Sequence, residues 1–168
     1  MIQNEGNRSK VFILNEYKKI QEKINEHFSV GLIENNIYTW EVLIFGPRDT
    51  PYENGIFKAK MIFPVNYPEA PPSFRFISEM WHPNIDSDGN VCISILHKPG
   101  EDAYGYEELN ERWMPVRHPE SVIMSIVCLL NSPNCDSPAN LDAATEYRND
   151  INAYTRKVMR LTEKTLEL

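Results

Sequence analysis

Four prolines within nine residues, in the segment PVNYPEAPP at residues 64–72, limit the fold more than any other feature of the chain. Each proline removes a backbone N–H donor, so this segment cannot be an inner strand of a sheet. Short runs of β-branched and aromatic residues flank it, at residues 57–63 and 74–77. The pattern predicts two strands joined by a rigid surface loop, which either binds a partner or only connects the strands.

Two more runs of the same type precede this loop, at residues 30–33 and 38–45. The turn formers Asn35 and Asn36 separate these two runs, and the loop GPRDTPYENG separates the second run from the third. Short runs divided by turn residues are typical of strands that pair with their sequence neighbours. The sequence therefore predicts a four-stranded antiparallel meander.

Helical spacing of apolar residues appears on both sides of the meander. It runs from Ser9, a candidate N-cap, to Phe28, and it reappears at residues 119–131, 141–148 and about 150–166. The expected fold class is α+β, with an N-terminal helix, the antiparallel meander and three C-terminal helices. A chain of 168 residues fits one such domain, spanning residues 1–168.

The formal net charge of −7 disfavours binding to nucleic acid or anionic lipid, and it favours basic or lysine-bearing partners. No signal-like apolar run opens the chain, and the longest apolar stretch, near residues 122–130, is too short to span a membrane. We therefore expect no direct membrane span and a cytoplasmic, possibly nuclear, protein.

The three cysteines, Cys92, Cys128 and Cys135, fit neither a disulfide framework nor a paired Cys-x-x-Cys metal site, and we expect reduced thiols. Cys92 follows a stretch of turn formers in WHPNIDSDGNVCISIL at residues 81–96, which predicts a half-shielded thiol where a loop meets the core. No Lys or Arg between Trp81 and Cys92 stabilises a thiolate, which favours a cysteine that carries a captured acyl group. The alternative is a buried structural cysteine. Cys128 is expected at the core or its boundary, and Cys135 is expected to be the more exposed of the two.

Other chemistries find little support in the sequence. The segment at residues 86–97 resembles a calcium loop, but its glycine is fourth instead of sixth and its twelfth residue is histidine, so no metal site is expected. The sequence contains neither the Gly-x-x-x-x-Gly-Lys motif that binds the phosphates of ATP nor the Gly-x-Gly-x-x-Gly motif that binds dinucleotides, so no nucleotide cofactor is expected. A cysteine hydrolase would need His82, His97 or His118 as the base for Cys92, which is a weak alternative.

At this point a family resemblance becomes specific. His-Pro-Asn followed, eight residues after the asparagine, by cysteine resembles the signature of ubiquitin-conjugating enzymes. Three other motifs are similar in order and spacing: YPEAPP at residues 67–72, WMP at 113–115 and LLNSPN at 129–134. The acidic stretch at about residues 97–112 and SPANLDAA at 137–144 resemble the G-type subgroup, which carries an acidic insertion after the catalytic cysteine.

The resemblance implies one ubiquitin-conjugating domain and an acyltransferase activity. Cys92 would accept ubiquitin as a thioester from the activating enzyme and pass it to lysines of substrates or of ubiquitin. ATP is consumed upstream, so no cofactor is expected. Working with a ubiquitin ligase, such an enzyme would build chains that signal proteasomal degradation. Conjugation of another ubiquitin-like protein, or an inactive binding partner with the same fold, are the competing hypotheses.

The resemblance also implies roles for particular residues. Asn84 would either stabilise the oxyanion of the tetrahedral intermediate or order the loop that supports it. Ser137 would position or deprotonate the incoming amine, and Asp136 is an equally chemical candidate. A strong general base is not expected, because it would also activate water against the thioester.

Two sets of residues would contact partners. The acidic stretch would position the substrate, and its candidates are His97, Glu101 and Asp102. A ligase-binding surface maps to the first helix, the Pro-rich loop and the Trp-Met-Pro segment, with the candidates Tyr67, Pro68, Glu69, Met114 and Pro115. Glu69 stands where some members have a large aromatic residue, which disfavours ligases that require one and leaves RING-type ligases as the expected partners.

Overall fold

The structure, a computed structural model, describes residues 2–98 and 111–167. Its sheet has the order β1-β2-β3-β4, and each strand pairs antiparallel with the next. The strands are β1 (Phe28–Ile33), β2 (Asn36–Phe45), β3 (Ile56–Ile62) and β4 (Ser73–Phe76). The predicted meander is confirmed, because short connections leave each strand beside its sequence neighbour.

In the described ranges, four α-helices precede and follow the meander in the chain order that was predicted. They are α1 (Ile2–Gln21), α2 (Pro119–Asn131), α3 (Leu141–Asn149) and α4 (Ile151–Lys164), and a short 3₁₀ turn covers Ser94–Leu96. The α+β fold class is thereby confirmed. No helix of the described ranges has the length and apolar character needed to cross a membrane.

The first helix differs from its prediction at both ends. Ser9 is not an N-cap but a buried residue inside α1, where its hydroxyl donates to the carbonyl of Gly6 at 3.1 Å and pairs with the hydroxyl of Tyr38 at 2.7 Å. The helix ends at Gln21, and Phe28 is a buried residue at the start of β1. The apolar spacing continued by coincidence through the connecting turn, where Ile24 is fully exposed.

The core lies on one face of the sheet. Burial alternates along β3 and β4, as it does in a sheet that packs on one side only. The buried face of α2 belongs to the same cluster of side chains as the sheet, and so does Trp113. Met80 and Ile85 belong to this cluster too, so the part of the chain that leads from β4 toward the candidate cysteine is held against the core.

The Pro-rich loop between β3 and β4 is anchored to this core. The ring of Tyr67 lies 5.0 Å from that of Phe63 and 5.8 Å from that of Trp113. The indole N–H of Trp113 donates to the carbonyl of Pro68 at 2.8 Å. The Trp-Met-Pro segment and the Pro-rich loop therefore form adjoining parts of one surface.

Candidate active site

A buried turn, residues 82–85, precedes Cys92 and is built around His82. The Nδ1 of His82 accepts the backbone N–H of Asn84 at 3.0 Å, so its Nε2 carries the proton and donates to the carbonyl of Leu129 at 2.8 Å. Burial lowers the pKa of His82 to about 4, although the bond to Leu129 acts in the opposite direction. His82 is therefore neutral near pH 7, and both of its nitrogens are engaged in holding the turn.

A second turn, at residues 86–90, is closed by Asp86. Its carboxylate accepts the backbone N–H groups of Asp88 and Asn90, each at 2.9 Å, and the side-chain amide of Asn90 at 3.2 Å. Burial would raise the pKa of Asp86, but the hydrogen bonds from Asn90, Asp88 and Gly89 outweigh it, so the pKa lies below its ordinary value. The carboxylate that resembled part of a calcium loop instead satisfies the donors of its own turn.

This second turn docks on the end of β4 through Gly89. The residue has φ +92°, and its carbonyl accepts the N–H of Phe76 at 2.8 Å. A Cβ at this position would lie 2.1 Å from the carbonyl oxygen of Phe76. Glycine is thus required both for the backbone conformation and for the close approach. This contact fixes the direction of the backbone three residues before Cys92.

Cys92 follows the second turn and is hydrogen-bonded back to the first. Its backbone N–H donates to the carbonyl of Asn84 at 2.8 Å, and its side chain is exposed. The expected position beside the core holds for its neighbours Val91 and Ile95, which pack against the core, whereas the Cys92 side chain itself is exposed. A rigid backbone that carries an exposed thiol suits a cysteine that must meet large partners.

Asn84 joins this turn to a distant loop. Its side chain is only 3% exposed. The Nδ2 donates to the carbonyl of Asn134 at 2.6 Å, and the Oδ1 accepts the N–H of Asn134 at 2.8 Å. Both ends of the amide are therefore occupied by one backbone residue, which is the arrangement of a residue that orders a loop.

The loop that Asn84 holds, residues 132–140, carries Asp136 and Ser137. Its far end is fixed as well, since the N–H groups of Ala139 and Asn140 donate to the carbonyl of Pro83 at 2.8 and 3.0 Å. Asp136 and Ser137 are both exposed between these two attachments. The loop that carries Asp136 and Ser137 is therefore hydrogen-bonded at both ends to the turn that supports Cys92.

Helices α3 and α4 supply contacts that were missed in the sequence. The indole N–H of Trp81 donates to Glu146 at 3.0 Å, and the ammonium of Lys157 lies 3.3 Å from the centre of the Trp81 ring. The guanidinium of Arg148 donates to the carbonyl of Cys135. The position of Trp81 directly before His-Pro-Asn was a possible signal, but its partners lie far along the chain and no local pattern marks them.

The two cysteines outside the site are placed in the reverse of the predicted order. Cys128 is exposed and Cys135 is partly buried. The buried residues of α2 occupy one side of the helix, and successive positions turn by about 100°, so Cys128 points away from the core. The prediction that Cys128 lies at the core or its boundary, and that Cys135 is the more exposed, is therefore wrong.

The predicted ligase-binding residues divide by exposure. Tyr67 is only 4% exposed and Pro68 is buried, so a direct ligase contact through Tyr67 or Pro68 is corrected to a supporting role in the core. Glu69 is exposed and lies 3.8 Å from Arg8 of α1, Pro115 is exposed, and Met114 is partly buried. The Pro-rich loop and α1 are thus neighbours. The side chains that a ligase could reach, Glu69 and Pro115, lie at the exposed edge of the loop and of the Trp-Met-Pro segment.

The substrate-positioning candidates lie in or beside the acidic stretch. His97 is partly buried, and its carbonyl accepts the N–H of Trp113 at 3.1 Å, which brings the two flanks of the stretch together. Glu101 and Asp102 lie outside the described residues. His118, another rejected base, pairs with Glu16 of α1 at 3.1 Å.

Cys92 is exposed, and His82 in the turn that supports it is neutral and has both ring nitrogens hydrogen-bonded, an arrangement that suits a thiol carrying an acyl group. The sequence model of the family described as ubiquitin-conjugating enzyme matches residues 12–162. The chain belongs to the ubiquitin-conjugating enzyme family, and it is a ubiquitin transferase by that membership.

Full-length relatives agree with this family. The chain is 47% identical over 161 residues to ubiquitin-conjugating enzyme E2 15 of Schizosaccharomyces pombe, covering 95% of this chain and 96% of that protein. It is 47% identical over 164 residues to ubiquitin-conjugating enzyme E2 14 of Arabidopsis thaliana, covering 97% and 98%. A ubiquitin-conjugating enzyme E2 of African swine fever virus is 47% identical over 161 residues, covering 93% of this chain and 72% of the viral protein.

Proposed function

We propose that Cys92 carries ubiquitin as a thioester and transfers it to a lysine of an acceptor ubiquitin, building degradation-signalling chains together with a RING-type ligase. The observation that carries this proposal is the linkage of Cys92, Asn84 and the 132–140 loop. Cys92 N–H bonds to Asn84, and Asn84 holds Asn134 by two bonds. One buried residue therefore sets the thiol relative to the loop that would meet the amine.

The transfer balances without a cofactor. In loading, the Cys92 thiolate attacks the thioester of the activating enzyme, a new C–S bond forms, the old C–S bond breaks, and the cysteine of that enzyme leaves as a thiolate. In discharge, the lysine nitrogen attacks the same carbonyl, an amide C–N bond forms, and the Cys92 thiolate leaves. The lysine ammonium gives up one proton to solvent before the attack, because only the neutral amine is nucleophilic, and the second proton released by the attacking nitrogen is taken up by the departing Cys92 thiolate. The free energy for amide formation comes from the thioester, which the activating enzyme forms with ATP.

Of the two roles considered for Asn84, loop ordering has the stronger support. Its side-chain donor is already engaged at 2.6 Å with the carbonyl of Asn134. An oxyanion would have to compete with that carbonyl, at the cost of releasing the loop. We therefore assign Asn84 the task of holding the 132–140 loop during aminolysis.

Asp136 and Ser137 are proposed to receive the acceptor lysine. Both are exposed on the loop that Asn84 and Pro83 attach to the Cys92 turn. The Asp136 carboxylate attracts the ammonium form, and the Ser137 hydroxyl can accept a hydrogen bond from the amine as the proton departs. Neither is a strong base, which spares the thioester from hydrolysis.

The acidic stretch at residues 97–112 is proposed to hold the acceptor ubiquitin through Glu101 and Asp102, with His97 at its base. Charge attraction between exposed groups is screened within about 8 Å at physiological ionic strength. We expect Glu101→Ala with Asp102→Ala to load normally but to form diubiquitin more slowly, and to show a weaker salt dependence than the wild type. A wild-type rate with the wild-type salt response would remove the stretch from the mechanism.

The ligase surface is proposed to comprise Glu69, Met114 and Pro115 beside α1. The exposed side chains of Val116 and Phe12 add apolar area to this surface. Exposed apolar groups near charged ones are typical of transient protein contacts. A broad surface of this kind suits RING-type ligases, and the acidic Glu69 selects against a partner pocket built for an aromatic side chain.

One assay tests the central proposal. The protein is incubated with activating enzyme, ATP and either ubiquitin or another ubiquitin-like protein, and the adducts are resolved with and without thiol reagent. We expect a thiol-sensitive ubiquitin adduct, none with Cys92→Ala, and a thiol-resistant oxyester with Cys92→Ser. Cys128→Ser is the matched control, because Cys128 is also exposed. A full adduct on Cys92→Ala, or an adduct only with another modifier, would overturn the assignment.

A further inference from the structure

We propose that Arg148 is a positioning residue for aminolysis, holding the Cys135 carbonyl so that Asp136 and Ser137 face the incoming amine. The inference rests on the proposed function of Cys92 as the thioester site. It adds a residue on α3 that the catalytic turn does not contain. The observation that suggests it is the hydrogen bond from the guanidinium of Arg148 to the carbonyl of Cys135.

Besides its two ends, which bond to α2 and α3, the 132–140 loop is attached to the turn beside Cys92. Asn84 holds the backbone of Asn134, and the carbonyl of Pro83 holds Ala139 and Asn140. Between these attachments lie residues 135–138, which carry the two exposed candidate side chains. Arg148 contacts this interval from a different direction, since it belongs to α3.

The chemistry of the interval explains why a side-chain donor is useful there. Pro138 has no N–H to donate, and it restricts Ser137 to extended backbone conformations. The peptide plane between Cys135 and Asp136 helps to set where the Asp136 side chain points, and its N–H already donates to the Asn134 side chain at 3.1 Å. Arg148 holds the carbonyl side of the same plane, so both polar groups of this peptide are fixed.

Arg148 is itself held in register with the catalytic turn. Asn140 caps α3 by accepting the N–H of Ala143 at 3.0 Å, and two residues before Arg148 the carboxylate of Glu146 accepts the indole N–H of Trp81 at 3.0 Å. Trp81 directly precedes the turn that supports Cys92. The Arg148 donor is therefore placed relative to the thiol by the helix, although its own side chain is exposed.

The test compares Arg148→Ala, Arg148→Gln and Arg148→Lys with Arg160→Ala, an exposed arginine on α4. Loading of Cys92 is measured first. The preformed thioester is then discharged to free lysine over a range of lysine concentrations in single-turnover conditions. The plateau rate reports the positioning of the bound amine, and the half-saturating concentration reports its binding.

We expect normal loading for every variant. Because a reacting group misplaced by about 1 Å can cost about 100-fold, a loosened loop should lower the plateau rate of Arg148→Ala roughly tenfold. The half-saturating concentration should change little. Arg148→Lys should recover most of the rate, since its ammonium can still donate to a carbonyl, and Arg148→Gln should recover less. Arg160→Ala should match the wild type.

Failure of the two proposals is distinguishable. If the wild type forms no thioester, the proposed function fails. If the thioester forms but Arg148→Ala discharges at the wild-type plateau rate, the positioning role is overturned. It is also overturned if Arg148→Lys is as slow as Arg148→Ala, because then the donor is not what matters. Should Arg148→Ala unfold, the ratio of the Lys and Gln variants decides the question in the same way.

Discussion

The side-chain amide of Asn84 forms two hydrogen bonds with the backbone of Asn134, one at 2.6 Å through Nδ2 and one at 2.8 Å through Oδ1. The carbonyl of Asn84 also accepts the N–H of Cys92 at 2.8 Å. One buried residue thus connects the thiol-bearing turn to the loop that carries Asp136 and Ser137. The geometry of the site depends on this residue before any chemistry begins.

Asn84→Ala should therefore lower stability as well as activity. The two lost bonds involve a polar backbone at a partly buried site, and such losses cost about 1–3 kcal/mol. We expect that decrease in the free energy of unfolding by urea titration, near-normal loading, and slow discharge to lysine. Asn84→Asp, which keeps an acceptor for the Asn134 N–H but sets a buried carboxylate oxygen against the Asn134 carbonyl, should be no more stable than the alanine variant. An alanine variant with wild-type stability and slow discharge would instead support the oxyanion role.

Thiol reactivity should follow the exposure seen in the structure. In the Cys92→Ala protein, a brief treatment with an alkylating reagent followed by peptide mapping should label Cys128 before Cys135. Cys128 is exposed on the outer side of α2, whereas Cys135 is partly buried and its carbonyl is held by Arg148. Equal labelling after urea denaturation is the control for intrinsic reactivity. Faster labelling of Cys135 in the folded protein would contradict this placement.

Local patterns in the sequence were sufficient for the meander and for α2, α3 and α4. Each strand pairs with its neighbour, so runs and turns carry the topology. The burial of Tyr67 was not readable in the same way, because its aromatic partner Trp113 lies far along the chain. The link between Asn84 and Asn134 spans 50 residues, and no local rule connects an asparagine to a backbone group at that distance.

The errors have a similar cause. Serine is a common N-cap residue, but Ser9 lies inside a longer helix, where its hydroxyl is hydrogen-bonded to the hydroxyl of Tyr38. Cys92 was expected to be half-shielded by its apolar neighbours, but Val91 and Ile95 pack against the core and the Cys92 side chain is exposed. Tertiary contacts, which a single sequence does not reveal, decided both cases.

Gly89→Ala should destabilise the turn that leads to Cys92. The residue has φ +92°, and the new Cβ would lie 2.1 Å from the carbonyl oxygen of Phe76. Backbone strain of this kind costs about 1–3 kcal/mol, and the clash adds to it. We expect a lower free energy of unfolding and reduced loading of Cys92. Gly31→Ala is the matched control, since a Cβ there meets nothing within 4 Å and stability should hardly change. Equal stability of the two variants would refute the close approach at Phe76.

His82 should make the stability of the protein fall as the pH is lowered from 8 to 5. Burial lowers its pKa from 6.5 to about 4 in the folded state, whereas the unfolded chain keeps the ordinary value. Above pH 6.5 the ring is neutral in both states and its contribution is fully present. Between about 6.5 and 4 the unfolded chain binds a proton that the folded protein excludes, so unfolding becomes more favourable.

For these two pKa values the loss between pH 8 and pH 5 is about 2 kcal/mol from His82. Urea unfolding of the wild type and of His82→Gln at both pH values isolates this contribution, because every other titrating group is common to the two proteins. His82→Gln should be less stable at pH 8, since it replaces a ring that bonds both Asn84 and Leu129. Its stability should nevertheless fall by about 2 kcal/mol less on acidification. If both proteins lose the same free energy of unfolding on acidification, His82 is not held neutral by burial and its two hydrogen bonds. The histidine would then be available to act as a base.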